Sequence, residues 1–458
     1  MKIFCISRKA ICGLLFCVAA HAVSAAEPEI EIFAGASPMD TVAQDLIAEM
    51  ESPDRQPSFS NLKRIYADSY TSVPAIRKSQ AQLEIFKLEI KQKEAGLLPK
   101  VDLQTNAGHS SIDSGTSSGS GSSANVTVQV DQLLYDFETT QKEILIAESR
   151  LSSGLSRIAA DRLEVLYEML AAQIDLQAAK KMIVFHDANI KSRTKFYDLI
   201  KQKVDLGASS ALDLSRARTK LLESRTRMPA LTADLIRAEG RVKEFFGSVP
   251  EFSFAFYRLP NIAVNFQGDL DAVVLAHPSV AEVAKNVEIA GSEIEALRGA
   301  ARGRISLKAT HSRSREPTSS NTDSSRVYVE YANTVFDGYL HQTKIAMAVE
   351  RKTEFEIELE RIKRQIYQDL LAAVADYQSA KEAVDVRKDL LVSAQKNSKD
   401  MYISFVLNRA TLTDVFASEE AYFSAAEGVV SSLAALQRAY YALLLDAGQL
   451  SDAFELNS

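Results

Sequence analysis

Carboxylates recur at matched positions along this chain. Asp136 stands in Tyr135-Asp136-Phe137 and Asp337 in Phe336-Asp337-Gly338, and Asp213 in Leu212-Asp213-Leu214 and Asp414 in Thr413-Asp414-Val415 repeat the same spacing. Asp136 and Asp337 each sit where a strand-like alternation gives way to a helical pattern. The chemistry that suits them is hydrogen-bond acceptance from the unpaired N–H groups at a helix N-terminus. Asp213 and Asp414 follow turns and suit the same task. Arrangements that would support catalysis lack their context. Gly115-Thr116-Ser117-Ser118-Gly119 has the spacing of a hydrolase nucleophile elbow, but it lies in a Ser/Gly tract with no strand-turn-helix setting. His109, His186, His277, His311 and His341 include no pair at metal-binding spacing. We therefore expect no enzyme, no cofactor and no metal site.

The spacing of the carboxylates belongs to a duplication that covers nearly the whole chain. Val73 to Leu103 reappears as His277 to Leu307 at an offset of 204 residues, and beyond two Ser-rich segments the offset settles at 201, where Phe246-Gly247 meets Ala447-Gly448. One small length difference in a loop accounts for the shift, so the pattern is a structural repeat. The chain divides into a signal peptide (1–25), an N-terminal extension (26–58), a first repeat (59–247), a linker (248–268), a second repeat (269–450) and a C-terminal tail (451–458).

The first segment reads as an export signal. Lys2, Arg8 and Lys9 precede the apolar run Ile11 to Ala20, and Val23-Ser24-Ala25 has the form of a cleavage site. Cys5, Cys12 and Cys17 all lie inside it, and Phe16 before Cys17 does not fit a lipoprotein signal. The exported chain would thus carry no thiol for disulfide, zinc or nucleophile chemistry. Losing three cations from a formal charge of −7 leaves it more acidic still, which excludes nucleic acid as a partner.

The full 458-residue chain is 46% hydrophobic and 25% charged, which excludes a disordered polymer. From Tyr339 to Glu427 it contains neither Gly nor Pro, and from Glu138 to Leu206 only Gly154. Segments of that length support helices on the order of 100 Å. Leu359, Ile362, Ile366, Leu370, Ala373, Tyr377, Ala380 and Val384 step by three and four, a stripe of coiled-coil type. No later segment reads as a membrane helix; the longest apolar run, Leu433 to Ala447, is broken by Gln437-Arg438.

Four segments alternate as strands, near 101–110, 124–133, 305–312 and 325–334, each about ten residues with one apolar and one polar face. Polar loops, Ser110 to Ser123 and Ser312 to Ser324, join them in pairs. A sheet in lipid must close, and four strands cannot. Two chains would give a filled barrel of eight strands, whereas three give twelve and a lumen. The expected fold is mainly α with a membrane β-barrel contribution. A duplicated helix-hairpin-helix unit supplies four strands per chain to a homotrimeric twelve-stranded barrel, mounted on a long α-helical coiled-coil tunnel.

The order of these features resembles the outer membrane efflux protein (TolC) family over roughly Phe59 to Leu450. The carriers are a strand start at Leu98-Pro99-Lys100-Val101, hairpin exits at Tyr135-Asp136-Phe137 and Val335-Phe336-Asp337-Gly338, and helical turns bearing Asp213 and Asp414. The resemblance implies a homotrimer in the outer membrane of a Gram-negative bacterium, with a tunnel extending into the periplasm. It implies as partners a periplasmic adaptor (membrane fusion) protein and an inner-membrane transporter, of ABC type or proton-driven, with outer-membrane lipid around the barrel. The Tyr135-Asp136-Phe137 exit and Glu419-Glu420-Ala421-Tyr422-Phe423 look closest to the type I protein-secretion members. The implied function is a passive exit duct, with small-molecule efflux as the alternative cargo class and a non-pore periplasmic coiled-coil adaptor as the alternative outside the family.

The family closes its tunnel at the periplasmic tip with acidic residues and inter-helix ties. The pore and gate candidates carried over are Asp414, its counterpart Asp213, Arg409 and Phe405. Three symmetry-related carboxylates at a constriction repel one another and attract cations. Here the second aspartate of the pattern aligns with Ala417, the tyrosine with Phe405 and the arginine with Ala410, beside Arg409.

Overall fold

The computed structural model describes residues 38–51, 59–114, 117–250, 259, 270–316 and 321–455. The expected signal peptide with its cysteines, most of the linker, and Gly115-Thr116 lie outside the described residues. Helix α1 (Pro38–Glu51) and α2 (Phe59–Tyr70) precede the first repeat unit, which comprises α3 (Pro74–Glu94), strands β1 (Lys100–Ser114) and β2 (Ser117–Tyr135), α4 (Thr139–Asp205) and α5 (Ala211–Phe246). After α6 (Leu270–Ala276) the same order returns as α7 (Pro278–Ala300), β3 (Arg304–Arg315), β4 (Thr322–Ala332), α8 (Leu340–Val406) and α9 (Leu412–Asp446), closed by α10 (Leu450–Phe454).

The two 67-residue helices, α4 and α8, follow from the scarcity of Gly and Pro and run roughly 100 Å each. They differ in what surrounds them. Helix α4 packs against α1, α3, α5, α7, α9 and α10, and is buried on all sides at mid-length. Helix α8 packs on α7 and α9 through the anticipated stripe, with Ile366, Leu370, Ala373 and Val384 buried. Its other face keeps Ile357 at 65% and Val386 at 67% exposure, apolar surface that a second copy would cover. Tyr66 of α2 lies 5.4 Å from Phe246 at the end of α5 and 5.3 Å from Phe454 of α10, and its hydroxyl donates to Gln173 Oε1 at 2.8 Å. The residues expected as a C-terminal tail thus begin as a helix, α10, with Phe454 buried. One helix, α9, is long and apolar enough to cross a membrane by composition. It packs into the helical layer, where Tyr422, Phe423, Val429, Val430 and Leu444 join the main core.

The four strands form one antiparallel sheet in the order β1-β2-β3-β4. Alternation sorts its faces. Val101, Leu103, Val126, Leu307, Val327, Val329 and Tyr331 share the exposed apolar side. The other side carries Lys308, whose ammonium lies 2.5 Å from Glu330 Oε1 and 3.9 Å from Asp131 Oδ2. A register shift between Leu133 and Tyr135 bends β2 where sheet yields to helix. Strands β1 and β4 each leave one edge unpaired among the described residues, so the barrel closes only when β4 of one chain meets β1 of another.

The structure corrects the expected loops. Pairing of β1 with β2 continues through the Ser/Gly tract to Ser114↔Ser117, and β3 with β4 to Ser314↔Thr322. Strands run 11 to 19 residues rather than about ten. Backbone ladders need no particular side chain, and small polar residues in water do not oppose them once the apolar part below fixes the register. The same pairing disposes of the elbow motif, because Ser118 and Gly119 face Asp113 and Ile112 across the ladder.

The second hairpin starts at Gly303 with φ of +87°, and a Cβ there would lie 2.3 Å from the Ala332 carbonyl oxygen. The equivalent position of the first repeat holds Pro99, which needs no positive φ. Gly303→Ala is expected to cost more than about 2 kcal/mol, from the backbone strain plus the collision. A fall in the melting temperature of the purified protein checks this.

Candidate gate at the helical tips

Each long helix ends in the same device. Gly207 (φ +73°) and Asn408 (φ +55°), 201 residues apart, take the left-handed conformation that stops a helix. Beyond them, Ala208 N–H donates to the Lys203 carbonyl and Arg409 N–H to the Ser404 carbonyl, both at 2.7 Å. The return helices then start with reciprocal caps. Ser210 Oγ accepts from Asp213 N–H at 3.1 Å while donating to Asp213 Oδ2 at 2.7 Å. Thr411 Oγ1 accepts from Asp414 N–H at 3.3 Å, and Asp414 Oδ2 accepts from Thr411 N–H at 2.9 Å.

These bonds hold the two carboxyl groups below the usual carboxylate range, chiefly through the Ser210 hydroxyl for Asp213 and the Thr411 hydroxyl for Asp414. Both keep their charge at mildly acidic pH, and each is tied to its own turn. Arg409 is exposed, and among the described residues its side chain makes no hydrogen bond or ion pair within the chain. Phe405 goes elsewhere. It packs 6.0 Å from Phe196 in an apolar cluster with Ile200, Leu412, Val415 and Phe416, and Lys203 Nζ lies 5.5 Å above its ring. An aromatic and cationic contact, worth about 0.5–2 kcal/mol, thus joins α4 to α8 at this place. At the hairpin exits, Asp136 Oδ2 accepts from Thr140 N–H at 2.8 Å and Asp337 Oδ2 from His341 N–H at 2.8 Å. Each reaches across two left-handed residues, Phe137-Glu138 and Gly338-Tyr339.

Sequence reasoning missed the polar band above the tips. Arg193 of α4 is only 3% exposed; its guanidinium donates to Glu420 Oε2 of α9 at 2.5 Å and to Asn189 Oδ1 at 3.2 Å. Beside it Glu419 buries Oε2 with no hydrogen-bond partner, and burial, opposed by Arg193, pushes its carboxyl up to about 7. Two turns on, Arg227 of α5 approaches Glu427 Oε1 at 2.9 Å, and His186 Nε2 donates to the Ser224 carbonyl at 2.7 Å. Arg438 of α9 also pairs with Asp175 of α4. Helix α9 is therefore tied to α4 and α5 along its length. One signal was available, because the repeat breaks here: position 193 matches Ala394, and position 420 matches Thr219.

A sheet with two open edges, continued by paired helices that end in capped turns, is one protomer of a channel-tunnel. Residues 67–248 match the family model described as outer membrane efflux protein. Outer membrane efflux protein BepC of Brucella suis is 20% identical over 331 residues, 71% of this chain and 72% of BepC. The fold is shared with the solved structures of CusC (TM-score 0.74, 15% identity, 87% of this chain and 94% of that one) and of the Campylobacter jejuni CmeC outer membrane channel (0.75, 12%, 85% and 86%). The protein is an outer-membrane channel that extends into the periplasm, passive rather than enzymatic. Channels of this family are trimeric and work with a periplasmic adaptor and an inner-membrane transporter.

Proposed function

We propose that three copies of this chain form the exit duct of a type I protein-secretion system, fed by an ABC-type inner-membrane transporter through an adaptor. The observation that carries the duct is the pair of unpaired edges, β1 and β4, on a sheet whose apolar face is exposed. Protein as cargo rests on the Tyr135-Asp136-Phe137 exit and the Glu419 to Phe423 stretch. A second reading, small-molecule efflux, is favoured by the description of BepC as an efflux protein. Deleting the gene separates them. Loss of a secreted protein with unchanged drug sensitivity supports secretion, and heightened drug sensitivity with an intact secretome supports efflux.

Within either reading Asp414 and Asp213 supply rings of carboxylates at the closed end, with Arg409 and Phe405 beside them. Asp414→Asn removes the charge and retains an acceptor for Thr411 N–H. The expected result in planar bilayers is lower cation selectivity of the pore with little change in stability. Unchanged selectivity would leave Asp414 as a helix cap alone.

A further inference from the structure

The strongest unexplained feature is helix α1, which belongs to neither repeat. Met39, Ala43 and Leu46 form one buried stripe that joins the main core with Leu391 and Ala394 of α8 and Tyr422 of α9. Asp40, 5% exposed, is the polar anchor: Gln395 Nε2 donates to its Oδ1 at 2.8 Å, the Tyr422 hydroxyl donates to Oδ1 at 3.1 Å, and Lys399 Nζ lies 3.4 Å from Oδ2. At the other end of α1, Glu49 Oε2 lies 2.6 Å from Lys181 Nζ of α4, both side chains largely buried. One short helix thus holds α8 and α9 at one end and α4 at the other.

Its position along the tunnel gives this meaning. Tyr422 lies eleven residues beyond Thr411, and Gln395 twelve before Leu407, so Asp40 grips the second hairpin roughly 16 Å above its tip. On the channel reading, a tunnel closed at the tips opens by movement of the α8/α9 hairpin relative to α4. A helix bonded to both opposes that movement.

We propose that α1 is an autoinhibitory clasp, whose Asp40 contacts to α8 and α9 and Glu49 contact to α4 hold the tip closed until they are released. The proposal rests on the channel reading above. It differs from the tip ties in kind, because a segment outside the repeats supplies the lock, and anything that draws α1 away opens the duct without touching Asp414 or Arg409.

The test is planar-bilayer conductance of purified full-length trimers. Asp40→Ala is expected to raise the open fraction several-fold over wild type. A second variant carries Asp40→Cys and Gln395→Cys, in a chain whose native cysteines all precede the expected cleavage after Ala25. Its reduced form is expected to conduct as Asp40→Ala does, and its oxidised form to close, in the same sample. The oxidised and reduced states keep the test decisive even if Asp40→Ala folds poorly. Wild-type trimers that conduct, with both variants conducting as they do in either redox state, overturn the clasp and leave the channel standing. Absence of conductance from every sample overturns the channel and the clasp with it.

Discussion

Glu419→Gln is expected to abolish a pH dependence of stability centred on the α4/α9 contact. The ordinary Glu value is 4.5, and burial raises it to about 7 in the folded protein, against the opposing pull of Arg193 and with a further push from Glu420. Between those values the folded state holds a proton that the unfolded chain has lost. Stability from this group is therefore fully present below pH 4.5, declines as pH rises towards 7, and is flat above. The gap corresponds to roughly 3 kcal/mol per chain. Glutamine mimics the protonated acid, so the variant matches wild type near pH 4 and exceeds it at pH 8. Hydrogen exchange of the α9 amides across that range is the measurement. Parallel profiles for the two proteins would refute the assignment.

The second large effect lies on the sheet. Leu103 is 68% exposed on the apolar face, where lipid surrounds the closed barrel. A lysine there costs about 2–4 kcal/mol at the bilayer midplane, and every trimer carries it three times. Leu103→Lys is expected to eliminate the heat-modifiable trimer. Gln104→Lys, one residue along and facing the lumen with the polar side chains, is expected to leave it in place. Equal loss in both variants would mean that the faces are assigned the wrong way round.

Much of this architecture was legible because it is written twice. The duplication located both hairpins, and alternation in Val126-Val128-Val130 and Ile305-Leu307-Ala309 identified the faces without any contact being known. The stripe along α8 was visible because that helix is covered on one side only. The same reasoning fails for α4, whose six neighbouring helices bury side chains all round and erase the periodicity. Arg193 was invisible for that reason: on a surface helix it would read as a solvated charge. The Ser/Gly hairpin was hidden by composition, since polar small residues predict a loop unless the register of the strands beneath is known. The role of α1 depends on Asp40 meeting Gln395 and Tyr422, more than 350 residues away, which no local pattern encodes.

The unpaired edges of β1 and β4 also bear on biogenesis. A lone protomer presents two unsatisfied backbone ladders and an apolar sheet face, a combination prone to joining the wrong partner. Because only the third chain closes the ring, the yield of finished barrels varies with the cube of the concentration of free protomers at equilibrium. A modest shortfall in synthesis therefore removes far more than its share of ducts. A chain truncated in the second hairpin would be worse than absent, since its intact β1 edge can still engage a neighbour's β4 and leave a ring that never shuts.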